Sequence, residues 1–344
     1  MSQLYVGIMS GTSLDGVDAV LADFSAAVPK LLGSHYQPYS DALREELLVL
    51  HQRGDDELHR AALLANRLSG EYADAVLTLL ASHGNPPVTA LGCHGQTIRH
   101  QPQDGYTTQL VNGALLAERT GVTAVVDFRS RDIAAGGQGA PLVPAFHAMV
   151  FRNPHRARAI VNIGGIANIT CLPEDGAMTG FDTGPGNLLM DAWIGRHRGE
   201  RYDAGGSFAS TGKPDAELLA RMLQEAFFRL PPPKSTGRDL FNLSWLDSLI
   251  DRRIAPEDVQ ATLAELTVES IAMAVRAHCA GAKEIYVCGG GAHNKHLLQR
   301  LTAALPGRQV ATTAAIGLDP DWIEALALDR KSTRLNSSHG YISY

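Results

Sequence analysis

The chain has 344 residues, with 30 Lys+Arg against 36 Asp+Glu, a formal charge of −6 and 45% hydrophobic residues. At roughly 150 residues per domain, this length predicts two domains, each able to bury its own core. A net acidic balance without a basic stripe argues against nucleic acid as a partner, and no apolar run approaches the ~18 residues of a membrane span. The N-terminal stretch lacks a basic region, and Asp15 and Asp18 interrupt any signal core. Cys93, Cys171, Cys279 and Cys288 are widely separated and form no CxxC pair. They read as reduced thiols of a cytoplasmic protein.

Strand patterns open the chain at Leu4–Ser10, Asp18–Phe24 and Lys30–Tyr39. Helices are predicted at Asp41–Leu50 and Glu57–Ala81, then strands at Val88–His94 and Thr107–Val111. A helix at Gly113–Thr120, a strand at Thr123–Arg129 and a helix at Leu142–Phe151 follow. The order then recurs: strands at Arg158–Gly164, Ala167–Leu172 and Ala177–Asp182, then helices at Gly186–Arg198, Ala216–Leu230, Leu243–Arg253 and Pro256–Ala280. A strand at Glu284–Cys288, a helix at Lys295–Leu305, a strand at Gln309–Thr313 and a short helix from Trp322 complete the pattern.

Three consecutive strands with short turns must pair at least partly antiparallel, whereas alternating helices and strands favour parallel crossovers. The expectation is an α/β fold of mixed sheets flanked by helices, occurring twice. The halves are taken as 1–130 and 131–328, with a hinge in the glycine- and proline-bearing segment Arg129–Pro144 and a cleft between them. Residues 329–344, polar and Ser/Asn-rich, break the pattern and read as a non-native tail.

Three glycine turns carry candidate chemistry. Between the first two strands stand Gly11, Thr12, Ser13, Leu14, Asp15, Gly16, Val17 and Asp18. Glycine lets amide N–H groups approach an anion, hydroxyls donate to phosphate oxygens, and aspartates hold Mg²⁺ through its waters. A plain hairpin also favours these residues, but two would suffice. Asp182, followed by Gly184, Gly186 and Asn187, is placed between a strand and a helix N-terminus with free N–H groups. It reads as a general base or metal-water ligand, or as a structural cap. Gly289, Gly290 and Gly291 again join strand to helix, and three glycines suit a flat or anionic ligand such as a nucleotide.

Other motifs fail. Gly206 to Lys213 lacks Walker spacing, Asn294 stands where GxGxxG needs glycine, and no HExxH or Cys/His quartet accompanies His94 and His100. His94 is read as a hydrogen-bonding partner for a polar ligand, and Arg131, after a strand end, as an anion or sugar ligand or as part of an exposed charged loop. Pro231–Arg238 is a stiff loop with cationic and hydroxyl groups, equally a solvated linker.

The duplicated pattern with its glycine turns resembles the actin/sugar kinase/Hsp70 superfamily. Within it, GIMSGTSLDGVD, GCHGQTIRH, VNIGGIANIT, GFDTGPGNLLMDAW, PKSTGRDLFNL and VCGGGAHN resemble the anhydro-N-acetylmuramic acid kinase family. The resemblance runs from about Tyr5 to Ala327. It implies an actin-like (ribonuclease H-like) fold and ATP-dependent opening of 1,6-anhydro-N-acetylmuramate. O6 would be phosphorylated, giving N-acetylmuramate 6-phosphate in peptidoglycan recycling. It further implies ATP phosphates at Gly11–Asp18, Asp182 as base, Thr97, Arg131 and Glu324 toward the sugar, Mg²⁺, and a homodimer. A conventional sugar or acid kinase and a non-catalytic nucleotide- or sugar-sensing module are the alternatives.

Overall fold

The computed structural model describes residues 3–11, 14–26, 29–250, 254–323 and 325–327. Thr12, Ser13, Glu324 and the segment 329–344 lie outside them. The chain forms two compact units, Met1–Val150 with Trp322–Tyr344, and Phe151–Asp321.

The first unit is built on a five-stranded sheet. β1 (Leu4–Met9), β2 (Gly16–Asp23) and β3 (Lys30–Pro38) form an antiparallel meander, and β4 (Ala90–Cys93) and β7 (Ala124–Val125) extend it in parallel. Its order is β3-β2-β1-β4-β7. α1 (Asp41–Leu50) starts at Ser40, whose hydroxyl accepts the Leu43 N–H, and α2 (Glu57–Ser82) follows. The α2 residues Leu64, Leu68, Tyr72, Val76 and Leu79 face the sheet in one apolar stripe and join Val6, Ile8, Val17 and Leu21 in the core. β5 (Gln96–Gln101) and β6 (Tyr106–Leu110) make a separate two-stranded ribbon. α3 (Gly113–Thr120), α4 (Phe128–Ala134) and α5 (Pro144–Phe151) complete the sequence of elements.

The second unit repeats the topology. β8 (Arg158–Ile163), β9 (Ile166–Leu172) and β10 (Thr179–Pro185) are antiparallel neighbours, and β11 (Glu284–Cys288) and β12 (Gln309–Thr312) run parallel to β8. The order is β10-β9-β8-β11-β12. The helices are α6 (Leu188–Arg198), α7 (Ala216–Met222), α8 (Leu243–Leu249), α9 (Pro256–His278) and α10 (Lys295–Ala304). Ala159, Val161, Ile163, Ala167, Ile169, Cys171 and Phe181 supply the apolar sheet face that packs with α9 residues such as Leu263 and Ile271. These are the mixed, helix-flanked sheets of the actin-like fold, once in each unit.

Several expected elements differ. The strand predicted to Arg129 stops at Val125, because Asp127 takes left-handed backbone (φ 59°) and turns the chain into α4. The helix predicted to Leu230 ends at Met222. Phe227 and Phe228 are both buried and both pack on Phe241, at 5.8 and 5.7 Å. The chain there takes a separate 3₁₀ turn, Ala226–Arg229, which carries both rings. Cys171 and Cys279 form a disulfide, with Cα atoms 5.4 Å apart and a sequence separation of 108. That corrects the reading of four reduced thiols. A pairing so distant leaves no spacing signal; Cys93 and Cys288 are in no disulfide, and both are buried. Among the described residues, no helix is long and apolar enough to cross a membrane.

Candidate active site

In each unit, β1 and β8 lead out at the sheet edge where their parallel neighbours also end, and the candidate residues collect there. In α/β sheets, this is where ligands bind.

In the first unit, the turn after β1 is anchored from beneath. Leu14 has φ 59° and is fully buried in the core, and its N–H reaches Gly11 O at 3.4 Å. Burial of one leucine contributes about 1.5–3 kcal/mol, enough to hold a strained residue in place. Asp15 O accepts the Tyr39 N–H at 2.9 Å and the Tyr36 hydroxyl at 3.0 Å, leaving the Asp15 side chain exposed. Gly16 serves packing: a Cβ there would stand 2.5 Å from Gln37 O and 2.7 Å from the Tyr36 ring. Val17 is buried, and Asp18 is half-buried on β2 opposite Met9 and Tyr36.

A buried polar chain absent from the sequence reading ties this turn to the ribbon. Tyr39 donates its hydroxyl to Ser10 Oγ (2.8 Å), Ser10 donates to Gln96 Oε1, and Gln96 Nε2 donates to Gly11 O (3.1 Å). Burial pushes the Tyr39 hydroxyl well above the ordinary tyrosine range, so it stays a donor. Thr97, next along β5, is half-buried and accepts from Gln109 Nε2 at 3.2 Å. Ser10, Tyr39 and Gln96 carried no periodic signal that would have singled them out.

His94 is spoken for inside the unit. Arg129 Nε donates to His94 Nε2 at 2.8 Å, so that nitrogen must be an acceptor, and Nδ1 donates to Gly95 O at 2.7 Å. This corrects the expectation of His94 as a ligand-binding group. Arg129 also donates to Gly139 O (2.7 Å), and Asp132 accepts the Gly139 N–H (2.7 Å), which pins the segment read as a hinge within the first unit. Arg131 is exposed, with no ion pair among the described residues.

In the second unit, β10 runs on to Pro185, so Asp182 lies within the strand and not at its end. A bulge between Asp182 and Gly184 inserts Thr183, whose hydroxyl donates to Ala167 O (3.2 Å). The helix N–H groups read as free are engaged. Gly186 N and Leu188 N donate to Gly165 O, and Asn187 N donates to Gly164 O, at 2.9, 3.1 and 2.8 Å. The close approach explains Gly186, where a Cβ would lie 2.3 Å from Gly164 O. Gly184 (φ 151°) likewise abuts the Phe228 ring. Gly289 and Gly291 pack on Asn162 and Ile163. Gly290 differs: it is exposed, and its nearest neighbour would be Asn187 Nδ2 at 3.7 Å.

Asp182 is 5% exposed and is held by the loop that sequence left undecided. Its N–H donates to Lys234 O at 3.1 Å, and the Thr236 N–H donates to its Oδ2 at 2.9 Å. Lys234 is itself buried. Its ammonium donates to Phe227 O (3.0 Å) and Phe228 O (3.4 Å) and sits 4.5 Å from the Phe227 ring centre. Desolvation lowers the Lys234 pKa, and the Asp182 charge opposes that shift. In the cross-strand register, Asn168 faces Asp182 on one side and Asn162 on the other. Asn162, Asn168 and Asp182 thus share the sheet face opposite the apolar residues of β8 and β9. A polar row inside a strand breaks the apolar pattern, and that break was the available signal.

A family model described as anhydro-N-acetylmuramic acid kinase matches residues 3–335. The chain belongs to the anhydro-N-acetylmuramic acid kinase family. Relatives of that name from Nitrosospira multiformis and Nitrosomonas europaea are each 57% identical over 327 residues, covering 94% of this chain and 89% and 90% of their own lengths. One from Thiobacillus denitrificans is 56% identical, covering 94% of this chain and 88% of its own. Family membership makes the chain a kinase, a phosphoryl-transferring enzyme.

Proposed function

We propose that this protein opens the 1,6-anhydro ring of anhydro-N-acetylmuramic acid with water and phosphorylates O6, giving N-acetylmuramate 6-phosphate and ADP. The observation that carries the reading is Asp182. It is a buried carboxylate oriented by the Thr236 N–H, on the sheet face left free of the apolar core. A kinase acting on a free hydroxyl has no need to activate water, whereas hydrolytic ring opening does. In the proposed reaction Asp182 takes the proton of the attacking water. The sugar contacts proposed are Thr97, Arg131 and Glu324, the last outside the described residues.

The residues fit ATP and Mg²⁺. In the first turn Asp15 is exposed beside the buried Leu14 and Gly16, and Gly290 offers an open approach for a flat group. No cluster of three or more His, Cys, Asp or Glu occurs among the described residues. A cation at phosphates would be held chiefly by their oxygens and by waters, with the Asp15 and Asp18 carboxylates toward those waters. When bound, Mg·ATP supplies the γ-phosphoryl group and neutralises charge on it. The same proposal carries a homodimer, to be read by light scattering, and a cytoplasmic role in peptidoglycan recycling.

The test is product mass spectrometry in ¹⁸O-water with ATP, Mg²⁺ and the anhydrosugar. The proposal expects one ¹⁸O at the anomeric carbon and one phosphate. Asp182→Asn should lower turnover about 10³-fold or more, since a positioned base contributes about 10²–10⁴. A phosphorylated product free of ¹⁸O, or an unimpaired Asp182→Asn, overturns it.

A further inference from the structure

Two polar atoms beside Asp182 are buried and have no hydrogen-bond partner among the described residues: Thr236 Oγ1 and Asn168 Oδ1. Both residues are fixed to Asp182 by the main chain. Thr236 donates its N–H to Asp182 Oδ2 at 2.9 Å, and Asn168 is the direct antiparallel partner of Asp182 between β9 and β10. Directly opposed residues of such a pair project their side chains to the same face. Buried polar groups in folded proteins almost always find a partner, so two orphans on the residues that flank one carboxylate call for a common polar occupant.

We propose that Thr236 and Asn168 hold the attacking water against Asp182; this rests on the reading of Asp182 as the base. A water molecule has two protons and two lone pairs, and the site uses all four. One proton goes to the Asp182 carboxylate and the other to Asn168 Oδ1. The Thr236 hydroxyl donates to one lone pair, and the remaining pair faces the anomeric carbon, C1. As the bond from the water oxygen to C1 forms, the C1–O6 bond breaks and its electron pair leaves on O6. The water's proton passes to Asp182 and then to solvent. O6 is the atom that takes the phosphoryl group from ATP.

Thr236→Val removes the hydroxyl while keeping the shape and the N–H that orients Asp182, Thr236→Ser restores the hydroxyl, and Asn168→Leu removes the acceptor. Steady-state kinetics, thermal melting and ¹⁸O product analysis are measured on the full-length enzyme. Thr236→Val should lower kcat about 10²-fold, the scale of one lost hydrogen bond to a reacting atom, with KM for both substrates within about threefold. Thr236→Ser should recover most of the rate, and Asn168→Leu should behave like the valine variant. Melting of Thr236→Val should stay at the wild-type temperature or rise, because replacing an unpartnered polar atom by an apolar one of similar shape is neutral or stabilising.

Unchanged kcat in Thr236→Val, an effect confined to KM, or a loss of fold overturns the proposal. The last would mean that the hydroxyl serves the protein and not the water. A wild-type product without ¹⁸O instead sinks the underlying reading of Asp182, whatever the variants do.

Discussion

Replacing Gly186 by alanine tests whether that residue serves the fold or a ligand. Its added Cβ would lie 2.3 Å from Gly164 O and 3.2 Å from Ala167 N, both main-chain atoms that no side-chain rotation can clear. The β8–β9 turn must therefore shift, and it holds the Gly186, Asn187 and Leu188 N–H groups through Gly164 and Gly165. Overpacking costs about 1–3 kcal/mol and each of the three weakened hydrogen bonds about 0.5–1.5 kcal/mol, for a combined loss of about 2.5–7.5 kcal/mol. At about 2–4 °C per kcal/mol for a unit of this size, melting should fall by about 5–30 °C. Gly290→Ala is the control. Its nearest contact is ordinary van der Waals distance, so melting should stay within about 1 °C while KM for ATP rises several-fold. Calorimetry and ATP titration of both variants decide. A Gly186→Ala melt within 2 °C of wild type would refute the close-packing argument.

Asp203, buried, accepts from Phe208 N (2.8 Å), Ala209 N (2.9 Å) and Gln260 Nε2 (3.2 Å). Asp203→Asn sets an amide donor against those donors and should cost about 2–4 kcal/mol by thermal melting; an unchanged melt contradicts it. The Glu284 carboxylate is held below its usual range by hydrogen bonds from Arg156 and Arg158, against an opposing desolvation. A depressed folded-state pKa stabilises above the ordinary carboxylate range and is lost as pH falls through the folded value. Wild-type melting should therefore drop more steeply than that of Glu284→Gln between pH 5 and pH 3, and parallel curves would reject this. Burial pushes the Cys93 thiol up to about 12, so iodoacetamide at pH 8 should label no cysteine in the native enzyme. Without reductant, two should react in urea; four would deny the Cys171–Cys279 bridge.

Periodicity was sufficient for the sheets. The short apolar runs in Leu4–Met9 and in Arg158–Ile163, each followed by two more strands, implied the antiparallel meanders, and the long apolar stripes of α2 and α9 implied their coverage. Local chemistry was less transparent. Gly16, Gly184, Gly186, Gly289 and Gly291 looked like ligand glycines, yet each is required by a neighbouring atom, and that neighbour is far away in sequence. For the same reason the Ser10–Tyr39–Gln96 chain was invisible. Ser10 just past β1, Tyr39 just past β3 and Gln96 at the start of β5 become neighbours only after the sheet and ribbon have formed. Lys234 and Thr236 sat in a loop whose composition fits solvent, and only the fold turns that loop inward onto Asp182.

The division of the chain has a consequence for biosynthesis. The second unit is one uninterrupted stretch, Phe151–Asp321, whereas the first is assigned residues from both before and after it. A ribosome working from the N-terminus therefore delivers every residue of the second unit before the last pieces of the first. The unit that starts first is finished last, because Ile323, Ala325, Leu326 and Ala327, all of which end up buried, are made only after an entire neighbour. A released chain truncated just past residue 321 should already protect β8 to β12 from protease while leaving the earlier sheet the more readily cleaved.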